Sequence, residues 1–165
     1  MKLTLQQTTV EGVISGGQTG ADRGGLDAGL DLGLAVGGYV PRGRRAEDGR
    51  VPARYASMVE HPRREYSART TANIAAADVT LVFCSGPPTG GSAFTVRECT
   101  RLEKACLVVD LQLDDEAAAD VIRTWLSTQA PRIINVAGRR ESKIPGIQAR
   151  VRCLLVAALK SEEAA

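Results

Sequence analysis

Residues 13–34 read VISGGQTGADRGGLDAGLDLGL, and this stretch decides the fold. It begins with a short β-branched run, passes through a glycine-rich turn, and continues into a helical pattern that we expect to span about Gly20 to Leu34. A strand followed directly by a helix is the repeating unit of α/β folds. Three leucines recur every four residues and predict one apolar stripe that packs on a sheet: Leu26, Leu30 and Leu34.

The same unit recurs along the chain. The run VTLVFC (79–84) is apolar on both faces, as is typical of a buried parallel strand, and the run ACLVVD (105–110) predicts a further strand. Strands alternating with helices predict a doubly wound, Rossmann-like α/β fold, with one parallel sheet and helices on both faces. The other expected elements are an extended piece at 39–40, a polar segment at 41–64, helices at about 67–77, 93–104, 115–128 and 146–160, and a strand at 132–136.

Length and composition bound the answer further. The 165 residues, of which 44% are hydrophobic and 24% charged, predict a single globular domain over 1–165 with flexible ends at 1–10 and 161–165. No apolar run approaches a membrane span, and the first residues lack the pattern of a secretory signal. We therefore expect a cytoplasmic protein with no membrane partner.

Charge is uneven along the chain. The net charge of +2 is too small for a general nucleic-acid binder, yet residues 42–69 carry eight arginines against four acids. This excess fits an anionic ligand and a merely solvated loop equally well. Scattered cysteines and a single histidine predict neither a metal site nor disulfides: Cys84, Cys99, Cys106, Cys153 and His61.

The first glycine-rich loop lies directly between a strand and a helix. Gly16, Gly17 and Gly20 permit positive φ and close backbone approach, so the loop amides and the positive helix end could hold a phosphate or another oxyanion. Thr19 could add a hydroxyl donor. The loop has neither the GxGxxG nor the GK[ST] pattern, which disfavours NAD and ATP. Tight strand–helix packing is the alternative for the glycines, and stabilisation of the helix dipole is the alternative for Asp22.

A second glycine-rich loop follows the next buried strand. Gly90 and Gly91 open this loop, and the hydroxyls of Ser92 and Thr95 lie in the first turn of the following helix. The hydroxyls could bind the same ligand, or Ser92 could only cap the helix. Glu98, one turn further, could be an acid–base group, although a surface glutamate is the simpler interpretation.

A third loop and one helix face complete the candidates. Residues 138–143, GRRESK, could close over an anion or be solvated, and Gly138 and Ser142 are the candidate contacts. Three polar residues spaced along one helical face could line the same crevice or bridge neighbouring loops: Arg69, Thr70 and Asn73.

These stretches together resemble a known family. ISGGQTGADRGGLDAG (14–29), GYVPRGRRAEDG (38–49) followed by Tyr55, YSARTTANIAAADVTLVF (66–83), GGSAFT (90–95) and NVAGRRESKIPGI (135–147) closely resemble the molybdenum cofactor carrier proteins. The resemblance covers most of the chain. This family belongs to the Rossmann-like superfamily that also holds the lysine-decarboxylase-like phosphoribohydrolases and DprA-type domains.

The resemblance implies a cytosolic homotetramer that binds a small phosphorylated ligand without transforming it. That ligand would be the molybdenum cofactor (molybdopterin) or a related oxyanion such as molybdate, and a molybdoenzyme would be the acceptor. It also implies a ligand-contacting role for two sets of residues, the first-loop residues Gly16, Gly17, Gln18, Thr19, Gly20 and Asp22, and the second-loop residues Gly90, Gly91, Ser92 and Thr95.

Two alternatives remain. The phosphoribohydrolase relatives carry a PGGxGTxxE loop; here residues 90–98 keep the TxxE ending but are one residue longer and lose the third glycine. A nucleoside-monophosphate N-glycosidase would use Glu98 as its acid–base group, with Arg97 or Arg101 orienting the phosphate. A nucleotide-sensing domain is the other alternative, although 165 residues leave no room for an appended effector domain.

Overall fold

A computed structural model describes residues 8–160, and strands and helices alternate along most of this range. The strands are β1 (Gly12–Ser15), β2 (Ala35–Val40), β3 (Arg45–Ala46), β4 (Gly49–Arg50), β5 (Met58–Glu60), β6 (Val79–Cys84), β7 (Ala105–Asp110) and β8 (Ile133–Gly138). The helices are α1 (Ala21–Asp31), α2 (Tyr66–Ala76), α3 (Gly90–Arg101), α4 (Asp115–Gln129) and α5 (Ile147–Leu159).

The main sheet has six parallel strands in the order β5-β2-β1-β8-β6-β7, and β3 and β4 form a small antiparallel hairpin. Helices α1, α4 and α5 pack together on one face, and α2 and α3 pack together on the other. This arrangement confirms the predicted doubly wound, Rossmann-like fold. Because β8 lies between β1 and β6, the loops that follow these three strands meet at one edge of the sheet, where a ligand crevice is expected.

Glycines, and not leucines, bring α1 onto the sheet. A Cβ at Gly25 would lie 2.6 Å from the Cβ of Val136 in β8, and one at Gly29 would lie 2.8 Å from Val36 in β2. The predicted leucine stripe is wrong at Leu30, which is 48% exposed, and α1 ends at Asp31, before Leu34. Leu26 is fully buried, as predicted. Small residues occupy this face of α1 because they allow the closest approach between the helix and the sheet.

The boundaries differ from prediction in three other places. The extended piece expected at 39–40 is strand β2, which starts four residues earlier, at Ala35, and includes Gly37 and Gly38. Helix α3 begins at Gly90 and not near Ala93. The polar segment 41–64 contains the β3–β4 hairpin and the edge strand β5, which are too short to give a periodic signal.

Two apolar clusters hold the fold together. The larger one lies between the sheet and the helices α1, α4 and α5, and includes Val13, Phe83 and Leu155. The smaller one lies beneath segment 41–64, where Tyr55 and Val51 pack against Leu26 of α1. Segment 41–64 is therefore a packed part of the domain and not an idle connection.

The structure describes only part of the predicted flexible ends. Val10, inside the predicted N-terminal tail, packs in the larger cluster and is 5% exposed. The rest of the predicted flexible ends, residues 1–7 and 161–165, lies outside the described residues. Within residues 8–160 no helix is long and apolar enough to cross a membrane.

Gly25→Ala tests the packing of α1. The added methyl group overlaps Val136 and should lower the free energy of unfolding by about 1–3 kcal/mol, partly offset by a gain of about 1 kcal/mol in helix propensity. Leu30→Ala, at the exposed site of the wrongly predicted stripe, should change it by about 0.5 kcal/mol or less. Urea unfolding measures both, and a Gly25→Ala protein as stable as wild type would contradict this account.

Candidate functional site

The first glycine-rich loop uses much of its hydrogen-bonding capacity internally. The Gly17 amide donates to Ser15 Oγ at 3.2 Å, the Gln18 amide to Asp22 Oδ2 at 3.1 Å, and the Thr19 amide to Gln18 Oε1 at 3.1 Å. All of these residues are buried. Three amides that the sequence offers as an anion cradle therefore have protein acceptors.

Two glycines of this loop allow close approach of other parts of the protein. A Cβ at Gly16 would lie only 2.5 Å from both Nε and Nη1 of Arg69, so this glycine makes room for a guanidinium group. A Cβ at Gly20, which has φ +83°, would lie 2.6 Å from the amide nitrogen of Glu141 in the third loop. The structure thus brings the first loop together with α2 and with the third loop.

Arg69 is the least compensated charge at this edge. Its side chain is only 12% exposed, and its buried Nε has no hydrogen-bond partner in the described part of the chain. Nη1 donates to Thr70 Oγ1 at 2.6 Å, and Nη2 lies 3.9 Å from Asp22 Oδ2. Burial lowers the pKa of Arg69 and raises that of Asp22. An added anion would compensate this buried cation.

Two further guanidinium groups lie beside Arg69. Arg45, Arg140 and Arg69 contact the ring of Tyr66, with their Cζ atoms 4.4, 5.1 and 5.5 Å from its centroid. We call these four residues the Tyr66 arginine cluster. Cations over aromatic rings are attracted to the π face, which holds the three charges close together despite their repulsion. The cluster therefore concentrates positive charge beside Gly16.

The start of α3 is open at the same edge. A Cβ at Gly90 or Gly91 would meet nothing within 4 Å, so the first turn of this helix is accessible. Thr89, and not Ser92, is the N-cap residue, and its hydroxyl hydrogen-bonds Arg139 Nη1 at 2.5 Å. Helix N-termini favour anions because their first amides lack partners and carry partial positive charge.

The other hydroxyls of this turn are less accessible. Ser92 and Thr95 are both buried, and Thr95 Oγ1 donates to the carbonyl of Gly91 at 3.0 Å. That bond lies within the helix and does not require a ligand.

Glu47 joins segment 41–64 to two of the predicted site residues. Its carboxylate accepts a hydrogen bond from Thr19 Oγ1, another from Ser142 Oγ at 2.7 Å and a third from the Ser142 amide at 3.3 Å. Gln18 Oε1 accepts from the Glu47 amide at 2.8 Å, while the buried Gln18 Nε2 has no hydrogen-bond partner within the described range. The hydroxyls of Thr19 and Ser142 are thus engaged by a carboxylate of the protein itself.

Two more carboxylates hold segment 41–64 on α1. Asp48 forms a two-pronged ion pair with Arg23 at 2.6 and 2.8 Å. Asp27 Oδ1 accepts from Tyr55 Oη at 2.6 Å and from Arg54 at 3.0 Å. Together with Glu47, these contacts close the segment over the first loop.

Two predicted site residues have structural partners. Asn73 Oδ1 accepts from the Tyr39 amide at 2.8 Å, and its Nδ2 donates to the Tyr39 carbonyl at 3.0 Å, which fixes α2 against β2. Gly138 has φ +153°, and a Cβ there would lie 2.8 Å from Ala21 Cβ. Asn73 and Gly138 shape the edge of the sheet through packing and backbone contacts.

Glu98, the acid–base group of the glycosidase alternative, is ion-paired. Arg101 Nε donates to both of its carboxylate oxygens at 3.1 Å, and Thr71 Oγ1 donates to Oε1 at 3.0 Å. The hydrogen bond from Arg101 is the main reason that the pKa of Glu98 is lowered. A carboxylate held ionised in this way is a poor proton donor. Arg97 is exposed to solvent.

Sequence reasoning missed Tyr66, Arg45 and Glu47 as parts of this site, and it included Arg140 only as one residue of the third loop, 138–143. Tyr66 lies within the family-like stretch 66–83, and Arg45 and Glu47 lie within the arginine-rich segment, so each had a weak signal. The contact between Thr19 and Glu47 joins residues 28 positions apart, and no local pattern reports it.

A family model places the chain among known proteins. The model of the circularly permutated YpsA SLOG family matches residues 13–159, which include every element from β1 to α5. The chain belongs to this family. The family-level resemblance and the Rossmann-like superfamily expected from the sequence are thereby confirmed.

Among solved structures, this YpsA SLOG family member is similar to the crystal structure of a "putative molybdenum carrier protein" from Syntrophus aciditrophicus SB. The two chains are 39% identical and superpose with a TM-score of 0.89, over 93% of this chain and 98% of the other. No curated protein matches the chain.

The role of Glu47 can be tested by pH. Hydrogen bonds, above all from Thr19, lower the pKa of Glu47 below its usual 4.5. A lowered pKa means that the carboxylate stabilises the fold above the unfolded-state value and loses this effect as the pH falls through its folded-state value. Wild type should therefore be more stable than Glu47→Gln at pH 7, and the difference should shrink well below pH 4.5.

Urea unfolding at a series of pH values measures this difference. Glu103→Gln, which removes an exposed carboxylate at the end of α3, is the control and should show a small difference throughout. A Glu47→Gln difference that does not change between neutral and acidic pH would contradict the carboxylate contacts.

Proposed function

We propose that this protein binds the molybdenum cofactor and carries or protects it without transforming it. The observation that carries the proposal is Arg69, a buried cation whose Nε has no hydrogen-bond partner among residues 8–160 and whose guanidinium group lies against Gly16 at the crevice edge. A phosphate oxygen of the ligand would accept from this Nε. The cofactor supplies its own metal chemistry when bound, and the protein supplies the anion site.

The residues at the edge fit a phosphorylated ligand. Arg140 and Arg45 add positive charge next to Arg69, and the amides of Gly90 and Gly91 open α3 towards the same edge. Arginine suits phosphate because its planar donors match the phosphate oxygens in pairs. In this proposal the first loop leaves space for Arg69 beside Gly16. The phosphate is then bound by the arginines and not by the loop amides.

Similarity to a solved structure narrows the choice of ligand. The structure at 39% identity is named a "putative molybdenum carrier protein", and the similarity extends over nearly the whole of both chains. This name is the reason for choosing the molybdenum cofactor, or molybdate, from among oxyanion ligands. The ion-paired state of Glu98 favours binding over hydrolysis. We further infer a cytoplasmic homo-oligomer, a tetramer, that hands its ligand to a molybdoenzyme.

The first experiment compares protein purified from cells that make the molybdenum cofactor with protein from cells that cannot. Native mass spectrometry with elemental analysis should find molybdenum and a pterin mass near one per subunit only in the first preparation. A protein that lacks both, or that holds an ordinary nucleotide, would contradict the proposal, and release of a base from nucleoside monophosphates would then support the glycosidase.

Arg69→Gln tests the anion site itself. Loss of a charge-assisted pair to phosphate should reduce the retained molybdenum by about tenfold or more, because each 1.4 kcal/mol changes affinity tenfold. Arg140→Gln, at a more exposed member of the Tyr66 arginine cluster, repeats the test at a position less critical for folding. Arg97→Gln is the matched control, because it removes one exposed arginine of α3 outside the cluster. If all three variants retained equal amounts of molybdenum, the ligand would have to bind elsewhere.

A further inference from the structure

A second positively charged cavity lies on segment 41–64. It has a volume of about 460 Å³, within the range of about 300–1,000 Å³ that is usual for small-ligand pockets. A Cβ at Gly43 or Gly49 would meet nothing within 4 Å, so the backbone in its wall is open. The lining residues are Arg42, Gly43, Arg45, Gly49, Glu60 and Arg64.

The arginines of this cavity lack acidic partners. Nine arginines elsewhere in the part of the chain that the structure describes form ion pairs with Asp or Glu, whereas Arg42, Arg45 and Arg64 form none there. Glu60 is the only acidic residue among the lining residues, and its Oε1 accepts from the Gly43 amide at 2.8 Å. Three guanidinium groups thus surround a space with one carboxylate, an arrangement that favours an anion of more than one charge.

Arg45 connects this cavity to the Tyr66 arginine cluster. Its guanidinium group contacts the Tyr66 ring at 4.4 Å, the same ring that Arg69 and Arg140 contact, and its side chain also lines the cavity. A ligand group in the cavity and another beside Arg69 would therefore share one residue between them. The two regions form one continuous positive surface.

We propose that this arginine cavity is a second anion-binding subsite and that it takes a diphosphate group. The planar donors of Arg42 and Arg64 pair with phosphate oxygens, and Arg45 orients the group towards the Tyr66 arginine cluster. A ligand that spans both regions carries two separated anionic groups, as a nucleotide-extended form of a phosphorylated cofactor does. This spanning role rests on the proposed function, whereas diphosphate binding in the cavity does not.

The test uses inorganic diphosphate and isothermal titration calorimetry on the full chain. Arg42→Gln/Arg64→Gln should weaken diphosphate binding by about tenfold or more. The matched control is Arg50→Gln/Arg63→Gln, which removes two exposed arginines from the same segment outside the cavity lining and should change binding less than threefold. Glu60→Gln removes the opposing negative charge and should strengthen binding.

Arg69→Gln separates the two claims. Diphosphate binding in the cavity should persist in this variant, while molybdenum retention falls. Wild-type protein from cells that make the cofactor could retain no molybdenum and still bind diphosphate through Arg42 and Arg64. That result would contradict the proposed function but support the subsite. The subsite would be overturned if wild type showed no detectable diphosphate binding, or if Arg42→Gln/Arg64→Gln left binding unchanged. It would also be overturned if the control variant lost as much affinity, because that would show a diffuse charge effect.

Discussion

The close contact between Gly16 and the guanidinium group of Arg69 is the constraint on which the site depends. Any side chain at position 16 would occupy the space of that guanidinium group, so the glycine at the end of β1 is what permits a buried cation at the start of α2. Arg69 gives up hydration there and gains a distant carboxylate, the hydroxyl of Thr70 and the ring of Tyr66 in return. A buried charge with an unused donor is costly unless a ligand completes its coordination.

Carboxylates organise the surroundings of this cation. Glu47, Asp48 and Asp27 attach segment 41–64 to the first loop, to α1 and to the third loop. These acids neutralise or engage groups next to the site, and Glu47 also lies 4.0 Å from Arg140 at the ring of Tyr66. Arg45 contacts the same ring and has no acidic partner in the described part of the chain. The segment therefore covers the glycine-rich loop and at the same time supplies arginines to the crevice. The arginine-rich segment, whose sequence fits an anionic ligand and a solvated loop equally well, is packed against α1 at this edge of the sheet.

Local sequence patterns predicted the parts of the fold that depend on local pattern. Strands β6 and β7 have the bounds expected from their apolar runs. Strand β6 is buried throughout, as a hydrophobic central strand should be, whereas β7 lies at the sheet edge and is mostly half-buried. The stripe on α1 was mispredicted because leucine spacing does not report that Gly25 and Gly29 can approach the sheet more closely than any leucine. Strand β5 has three residues and gave no periodic signal.

The candidate site, too, could be predicted from the sequence only in part. The sequence identified the three loops that meet at one edge, since this follows from strand–helix order alone. It could not tell that the amides of Gly17, Gln18 and Thr19 are used internally, because their acceptors are set by the folded turn. It also could not bring Tyr66 together with Arg45 and Arg140, which are 21 and 74 residues away in the chain.

A crystal structure of the protein purified with its ligand tests the central claim most directly. The account predicts a phosphate oxygen about 2.7–3.2 Å from Arg69 Nε, with the hydrogen bonds inside the first loop unchanged. A phosphate held by the amides of residues 16–20, with Arg69 turned away from it, or a ligand bound away from this edge of the sheet, would contradict it.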